Sequence, residues 1–154
     1  MPLTLVSGGQ SGVDRAALDA AMAAGLDVGG WCPARRWAED GPISDRYPLQ
    51  ETPSADPAER TRRNVRDSDA TLVLAPAPPA GGTALTVDVA RAFDKPHLVL
   101  DPHRDPPGVA VDWLRQRPGV RRLNVAGPRE SEAPGVYGVA RAWLAALFDG
   151  LDES

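Results

Sequence analysis

Cysteine is almost missing from this chain: Cys32 is the only one. That excludes an internal disulfide framework and a cysteine-based zinc site, and it fits a reducing compartment. Lysine is as scarce, since Lys95 stands alone among 17 basic residues and the rest are arginine. Such usage follows from a GC-rich coding sequence, or it supplies planar forks for phosphate. Of the histidines, only His97 and His103 are present, and no His, Cys or acid spacing matches a metal site. Cys32 has no histidine near it in sequence to activate it as a nucleophile. Long apolar runs are also absent. The longest uncharged run, between Asp69 and Asp88, is broken by Pro76, Pro78 and Pro79, so it spans no membrane. No basic region followed by an apolar stretch opens the chain, so no signal peptide is visible and a soluble, cytoplasmic protein is expected. A net charge of −4 argues against general nucleic-acid binding.

What is present is globular. The 154 residues are 42% hydrophobic and 25% charged, which excludes wholesale disorder. One chain of this size buries roughly 70% of its unfolded surface, enough for a single core, and residues 1–154 read as one domain. Glycine and proline are over-used, at 15 and 16 residues, without a collagen-like period, so the excess belongs in loops.

Strand and helix patterns alternate. Leu3 to Ser7 is a short apolar strand, and Val13 to Ala24 carries Val13, Ala17, Leu18, Ala21 and Ala24 at helical spacing. Ser11 and Asp14, three apart, resemble a capping box. Asp27 to Cys32 reads as a second strand, weakened by Gly29 and Gly30. A long irregular stretch, Pro33 to Ala55, follows; loops of that length are usually functional or disordered. Asp56, Pro57 and Glu59 fit the N-cap and first turn of a helix running to about Arg66. Ala70 to Ala75 is the clearest strand, with Leu72, Val73 and Leu74 buried on both faces. Helices over Thr83 to Phe93, Val109 to Arg117 and Pro134 to Asp149 alternate with strands at His97 to Leu100 and Arg121 to Ala126.

That order implies a parallel five-stranded sheet with helices on both faces, a Rossmann-like three-layer α/β sandwich. The expected strand order is 2-1-3-4-5, which makes the first and third strands neighbours. Ligands in such sheets bind beyond the carboxyl ends of the strands, where the order reverses.

Four constellations bear on chemistry. Gly8, Gly9, Gln10, Ser11 and Gly12 lie between a strand and a helix, where glycines admit a close ligand and a helix start offers free N–H groups. The run is neither a GxGxxG fingerprint nor a Walker loop, so NAD binding and ATP hydrolysis are poorly supported. Gly81, Gly82 and Thr83 repeat the strand-glycine-helix arrangement, with the Thr83 and Thr86 hydroxyls on the first turn. Two such loops at neighbouring strand ends make a nest for an anion. Arg60, Asn64 and Asp67 share one helical face, from which Arg60 and Asn64 lean towards that crevice or simply face solvent. The loop Cys32 to Ile43 gathers Arg36, Glu39 and Asp40; Arg36 is a candidate phosphate partner, and either acid a candidate for a base or ribose edge, unless the loop is a lid held by its own ion pairs.

At these residues the sequence resembles the molybdenum cofactor carrier family, within the lysine-decarboxylase-like, SLOG Rossmann superfamily. The resemblance runs from Ser7-Gly8-Gly9-Gln10-Ser11-Gly12-Val13-Asp14-Arg15 through Gly29-Gly30-Trp31-Cys32-Pro33, Ala38-Glu39-Asp40-Gly41, Tyr47-Pro48-Leu49, Arg60-Thr61, Asn64-Val65 and Gly81-Gly82-Thr83. It covers roughly residues 3 to 100. One departure is Ala34-Arg35-Arg36, where the family usually reads Lys-Gly-Arg. The resemblance implies a Rossmann-type fold, a phosphate-bearing pterin cofactor as ligand, and a homo-oligomer, dimer or tetramer. Carried onto this chain, Gly8 to Gly12 and Gly81 to Thr83 would hold the phosphate end, and Asp14, Arg15, Arg36, Glu39, Asp40, Arg60 and Asn64 would line the rest.

The expected function is therefore a non-catalytic carrier or sensor of a phosphate-bearing small molecule, either the molybdenum cofactor or a nucleotide. The alternative is a nucleoside monophosphate phosphoribohydrolase-like enzyme, with Glu39 and Asp40 as its acid and base. A third reading, a subunit scaffold, has the glycine loops filled by a neighbouring chain.

Overall fold

The computed structural model describes residues 3–152. Five parallel strands form the main sheet: β1 (Thr4–Val6), β2 (Asp27–Gly29), β5 (Ala70–Leu74), β6 (His97–Leu100) and β7 (Arg122–Ala126). Their order is β2-β1-β7-β5-β6. The fold class is the expected one, but the strand order is not. The last strand, not the third, lies beside β1, with Val6 opposite Asn124 and Asn124 in turn opposite Thr71. Burial explains the placement. Leu123 and Val125 on one face of β7 and Asn124 on the other are all buried, as a strand covered on both sides requires, whereas Val99 of β6 is 38% exposed at the sheet edge.

The sheet is covered by α1 (Val13–Ala23), α4 (Pro107–Arg115) and α5 (Val136–Asp152) on one face, and by α2 (Pro57–Arg66) and α3 (Gly81–Ala92) on the other. Alternation along the strands assigns the faces. Leu5, Leu72, Leu74, Leu123 and Val125 join the large core under α1, α4 and α5, while Val73 and Ala75 meet Val87 of α3.

The strand expected over Asp27 to Cys32 breaks at Gly30. A side chain there would put its Cβ 2.3 Å from the Ser7 carbonyl oxygen, and φ is +131°. The chain bends away, and β3 (Trp31–Cys32) pairs instead with β4 (Gln50–Glu51) in a small parallel ribbon. Pro33 to Ala55 is ordered around Arg36. Its guanidinium donates to the carbonyls of Ile43 (2.9 Å), Leu49 (3.1 Å), Ser44 (2.8 Å) and Tyr47 (2.7 Å).

Helix ends follow partly expected rules. Asp56 caps α2, accepting from the Ala58 N–H at 2.9 Å, with Pro57 in the first turn. At the other end of α2 the lone lysine closes the helix. Lys95 Nζ donates to the carbonyls of Val65 (3.2 Å), Ser68 (2.7 Å) and Arg66. The capping box expected from Ser11 and Asp14 does not form. Gly12 is the N-cap of α1 and makes no side-chain capping bond, because both side chains are engaged elsewhere.

Candidate functional site

A crevice opens at the carboxyl ends of β1, β7 and β5, on the α2 and α3 side of the sheet. It encloses about 500 Å³ of empty space, solvent included. The two glycine loops do face it together, although β7 separates their strands. Gly8, Gln10 and Asp14 form one wall, Gly82, Thr83 and Thr86 another, and Arg60 and Asn64 reach in from α2.

The two loops differ in what they offer. In the first, the chain's own side chains already take most of the amides. Gly9 donates to Ser7 Oγ (3.2 Å), Gln10 to Asp14 Oδ2 (3.3 Å) and Ser11 to Gln10 Oε1 (3.0 Å). In the second, the Gly81 and Gly82 N–H groups, the first of α3, have no hydrogen-bond partner among the described residues, as is usual for the first amides of a helix. Thr86 turns its hydroxyl back to the Gly82 carbonyl at 2.9 Å, while the Thr83 hydroxyl, on the crevice wall, has no partner among the described residues.

Arg60 is the main positive charge in the crevice. Its guanidinium lies against Gly8 so closely that a Cβ there would be 2.0 Å from Nη1. Nη1 donates to Asp14 Oδ2 at 3.2 Å and Nε to the Pro57 carbonyl at 3.2 Å. Nη2 has no partner among the described residues and remains available. Asp14 is buried, and burial raises its pKa above the ordinary carboxylate value despite the opposing pull of Arg60, the Gln10 N–H and Arg15. Asn64 acts as a clip at the rim. Its Oδ1 accepts from the Trp31 N–H at 2.7 Å and its Nδ2 donates to the Trp31 carbonyl at 3.0 Å, so its amide holds β3 as a neighbouring strand would.

Other expected site residues sit elsewhere. Ser11, Gly12, Arg15, Glu39 and Asp40 line a separate, open groove on the α1 and α5 side, with Asp19, Tyr47 and Tyr137. Glu39 is a latch between loops. It accepts from the Ser11 hydroxyl and from the Ser131 hydroxyl (2.5 Å) and N–H (3.1 Å), and these bonds hold its pKa below the usual value. Arg15 pairs with Asp40 at 3.1 Å and donates to the Gly9 carbonyl. Glu39 and Asp40 therefore do not face the crevice as an acid and base pair. Arg36 lies in neither cavity, its donors being engaged by the four loop carbonyls. Gly9 lies beneath Leu49 and Ile43 of the same loop; a Cβ on it would come 2.6 Å from Leu49 Cδ1.

The third strand exit was missed by sequence reasoning. Asn124, Ala126, Gly127, Arg129 and Glu132, with Thr61 of α2, complete the crevice lining. The signal was there, since Gly127-Pro128 follows a strand and precedes a helix as the other glycine runs do. Gly127 has no room for a side chain: a Cβ would lie 2.3 Å from the Leu74 carbonyl oxygen and 2.7 Å from Val13 Cγ2.

Comparison with known families matches residues 5–148 to the profile described as the circularly permutated YpsA SLOG family. The chain belongs to this family. A search of curated proteins found no match. Among solved structures, this SLOG chain is similar to one described as "Putative molybdenum carrier protein" from Syntrophus aciditrophicus SB. The two are 38% identical with a TM-score of 0.88, over 96% of this chain and 95% of the other. Among the described residues, no helix is long and apolar enough to cross a membrane.

Proposed function

We propose that the crevice binds the phosphate of a small molecule, and that the protein carries this ligand rather than converting it. The observation that carries this reading is the meeting of Arg60, one of whose guanidinium nitrogens has no partner among the described residues, with Gly82 in the first turn of α3 across one cavity. Charge-assisted donors and a helix start are the groups an oxyanion needs. The relative described as a molybdenum carrier supports the molybdenum cofactor as one cargo; a nucleotide is the other candidate. Among the described residues no three His, Cys, Asp or Glu side chains gather as metal ligands would. In this proposal the chain's contacts are to the phosphate and the organic part of the cargo. A cytoplasmic carrier assembled as a homodimer or homotetramer completes the proposal.

The test is thermal unfolding with inorganic phosphate, nucleoside monophosphates, molybdate and tungstate, beside native mass spectrometry of freshly purified protein. A phosphate-bearing ligand at a hundred times its Kd adds about 2.7 kcal/mol of stability, several degrees in Tm. No shift with any phosphate compound, or a shift that Arg60→Gln leaves unchanged, overturns the reading.

A further inference from the structure

One wall of the crevice carries a carboxyl where an anion site has no evident use for one. Asp14 lines the cavity with only 8% of its side chain exposed, and its two oxygens are used unequally. Oδ2 accepts from Arg60 Nη1 at 3.2 Å and from the Gln10 N–H at 3.3 Å. Oδ1 has no hydrogen-bond partner among the described residues. It is not sealed off either, since among those residues only Ser68 Oγ is both unpartnered and fully enclosed. The free oxygen of Asp14 therefore opens into the crevice. The charges around it balance without a ligand. Arg60 on α2 pairs with Asp14, and Arg15 on α1 adds a weaker pull. Arg129 and Glu132, after β7, face the same cavity and lie 3.5 Å from each other. Neither α3 nor β7 adds a charge to the lining, and no histidine belongs to it.

A phosphate monoester has its second pKa at about 6 and is a dianion above it. On the unengaged nitrogen of Arg60 it shares a guanidinium with Asp14 and meets a carboxylate oxygen that has no donor to offer. Two anionic oxygens with nothing between them repel, whereas one proton between them makes a short charge-assisted hydrogen bond. Burial already favours the protonated form of Asp14. We propose that Asp14 Oδ1 and a phosphate oxygen share one proton in the complex, so that the ligand enters with a proton taken from solvent and leaves as that proton is lost. No covalent bond changes. This rests on the phosphate reading of the crevice and adds how binding there is regulated.

Calorimetric titration of the full chain with ribose 5-phosphate, in two buffers of unlike ionisation heat, tests it. At pH 8 about one proton is expected to be taken up per ligand bound, and Kd should rise about tenfold from pH 7.5 to 8.5. Asp14→Asn keeps an acceptor for Arg60 and Gln10 and puts an amide N–H in place of the shared proton. Its proton uptake should fall to near zero, with Kd changing less than about threefold over that range. Glu132→Gln, which alters the other carboxyl of the lining, keeps the pH dependence whatever it does to affinity, and circular dichroism checks that both variants fold. Binding without proton uptake in the unaltered protein overturns this inference alone, as does an uptake that Asp14→Asn leaves in place or that Glu132→Gln removes. Failure of ribose 5-phosphate and inorganic phosphate alike to bind overturns the crevice reading and this inference with it.

Discussion

The Arg60 guanidinium rests on the bare Cα of Gly8, two residues from different elements and 52 positions apart in the chain. Gly8 therefore earns its place without a left-handed backbone: it is the floor on which the cation lies. Gly8→Ala drives a methyl group to 2.0 Å from Nη1 and must dislodge the guanidinium from Asp14. The substitution is expected to destabilise the protein by about 2 kcal/mol and to weaken phosphate binding. Gly8→Ala combined with Arg60→Ala should cost less than the sum of the two changes, measured by denaturant unfolding, because both act on one contact.

Removing Arg60 alone leaves Asp14 as a buried carboxylate with its nearest cation gone. The Asp14 pKa already lies above its unfolded value, so its ionisation costs stability as pH rises through and above the carboxylate range, and the cost is absent in acid. Arg60→Ala raises that pKa further. The variant should lose about 3 kcal/mol at neutral pH and recover much of it as pH falls towards the unfolded value. Adding Asp14→Asn should abolish this pH dependence. Unfolding midpoints of the unaltered protein and the two variants across pH 4 to 8 would show it, and a pH-independent deficit in Arg60→Ala would contradict it.

Arg35 has φ +64°, a left-handed conformation, at the position where the resembling family usually carries glycine. Its side chain is exposed, and its N–H donates to Glu51 Oε1 at 2.5 Å, a bond any residue but proline can make. A non-glycine residue in this region costs about 1–2 kcal/mol, against about 0.4–1 kcal/mol of extra unfolded-state freedom for glycine. The strain is the larger effect, so Arg35→Gly should stabilise by about 0.5 kcal/mol, seen as a small rise in Tm. A fall in Tm would mean that the Arg35 side chain holds the loop.

The class of fold was legible because its signals are local. Leu72-Val73-Leu74 announces a strand covered on both faces, and Asp56-Pro57 announces a helix start. Strand order was not legible, because it depends on which strand is more buried, and Arg121 to Ala126 shows its charged end as plainly as its apolar centre. The crevice was half legible. The glycine runs and Arg60 lie within recognisable patterns, whereas Arg129 and Glu132 become neighbours of Gly81 only once β7 enters the sheet. Arg36 and Glu39 were candidates by residue type. Their competitors for attention, four loop carbonyls and two serine hydroxyls, come from positions that no spacing rule connects.

Because β7 supplies the middle of the sheet, a growing polypeptide exposes β1 and β5 as two unmated edges until Arg122–Ala126 has left the ribosome. Neither half has a pairing partner for its inner edge before that point, and long-range parallel pairing is slow to form. The crevice walls likewise meet only after Ala126 and Gly127 arrive. On the proposed reading, a ligand therefore has no receptacle on a nascent chain, and binding belongs to the finished molecule.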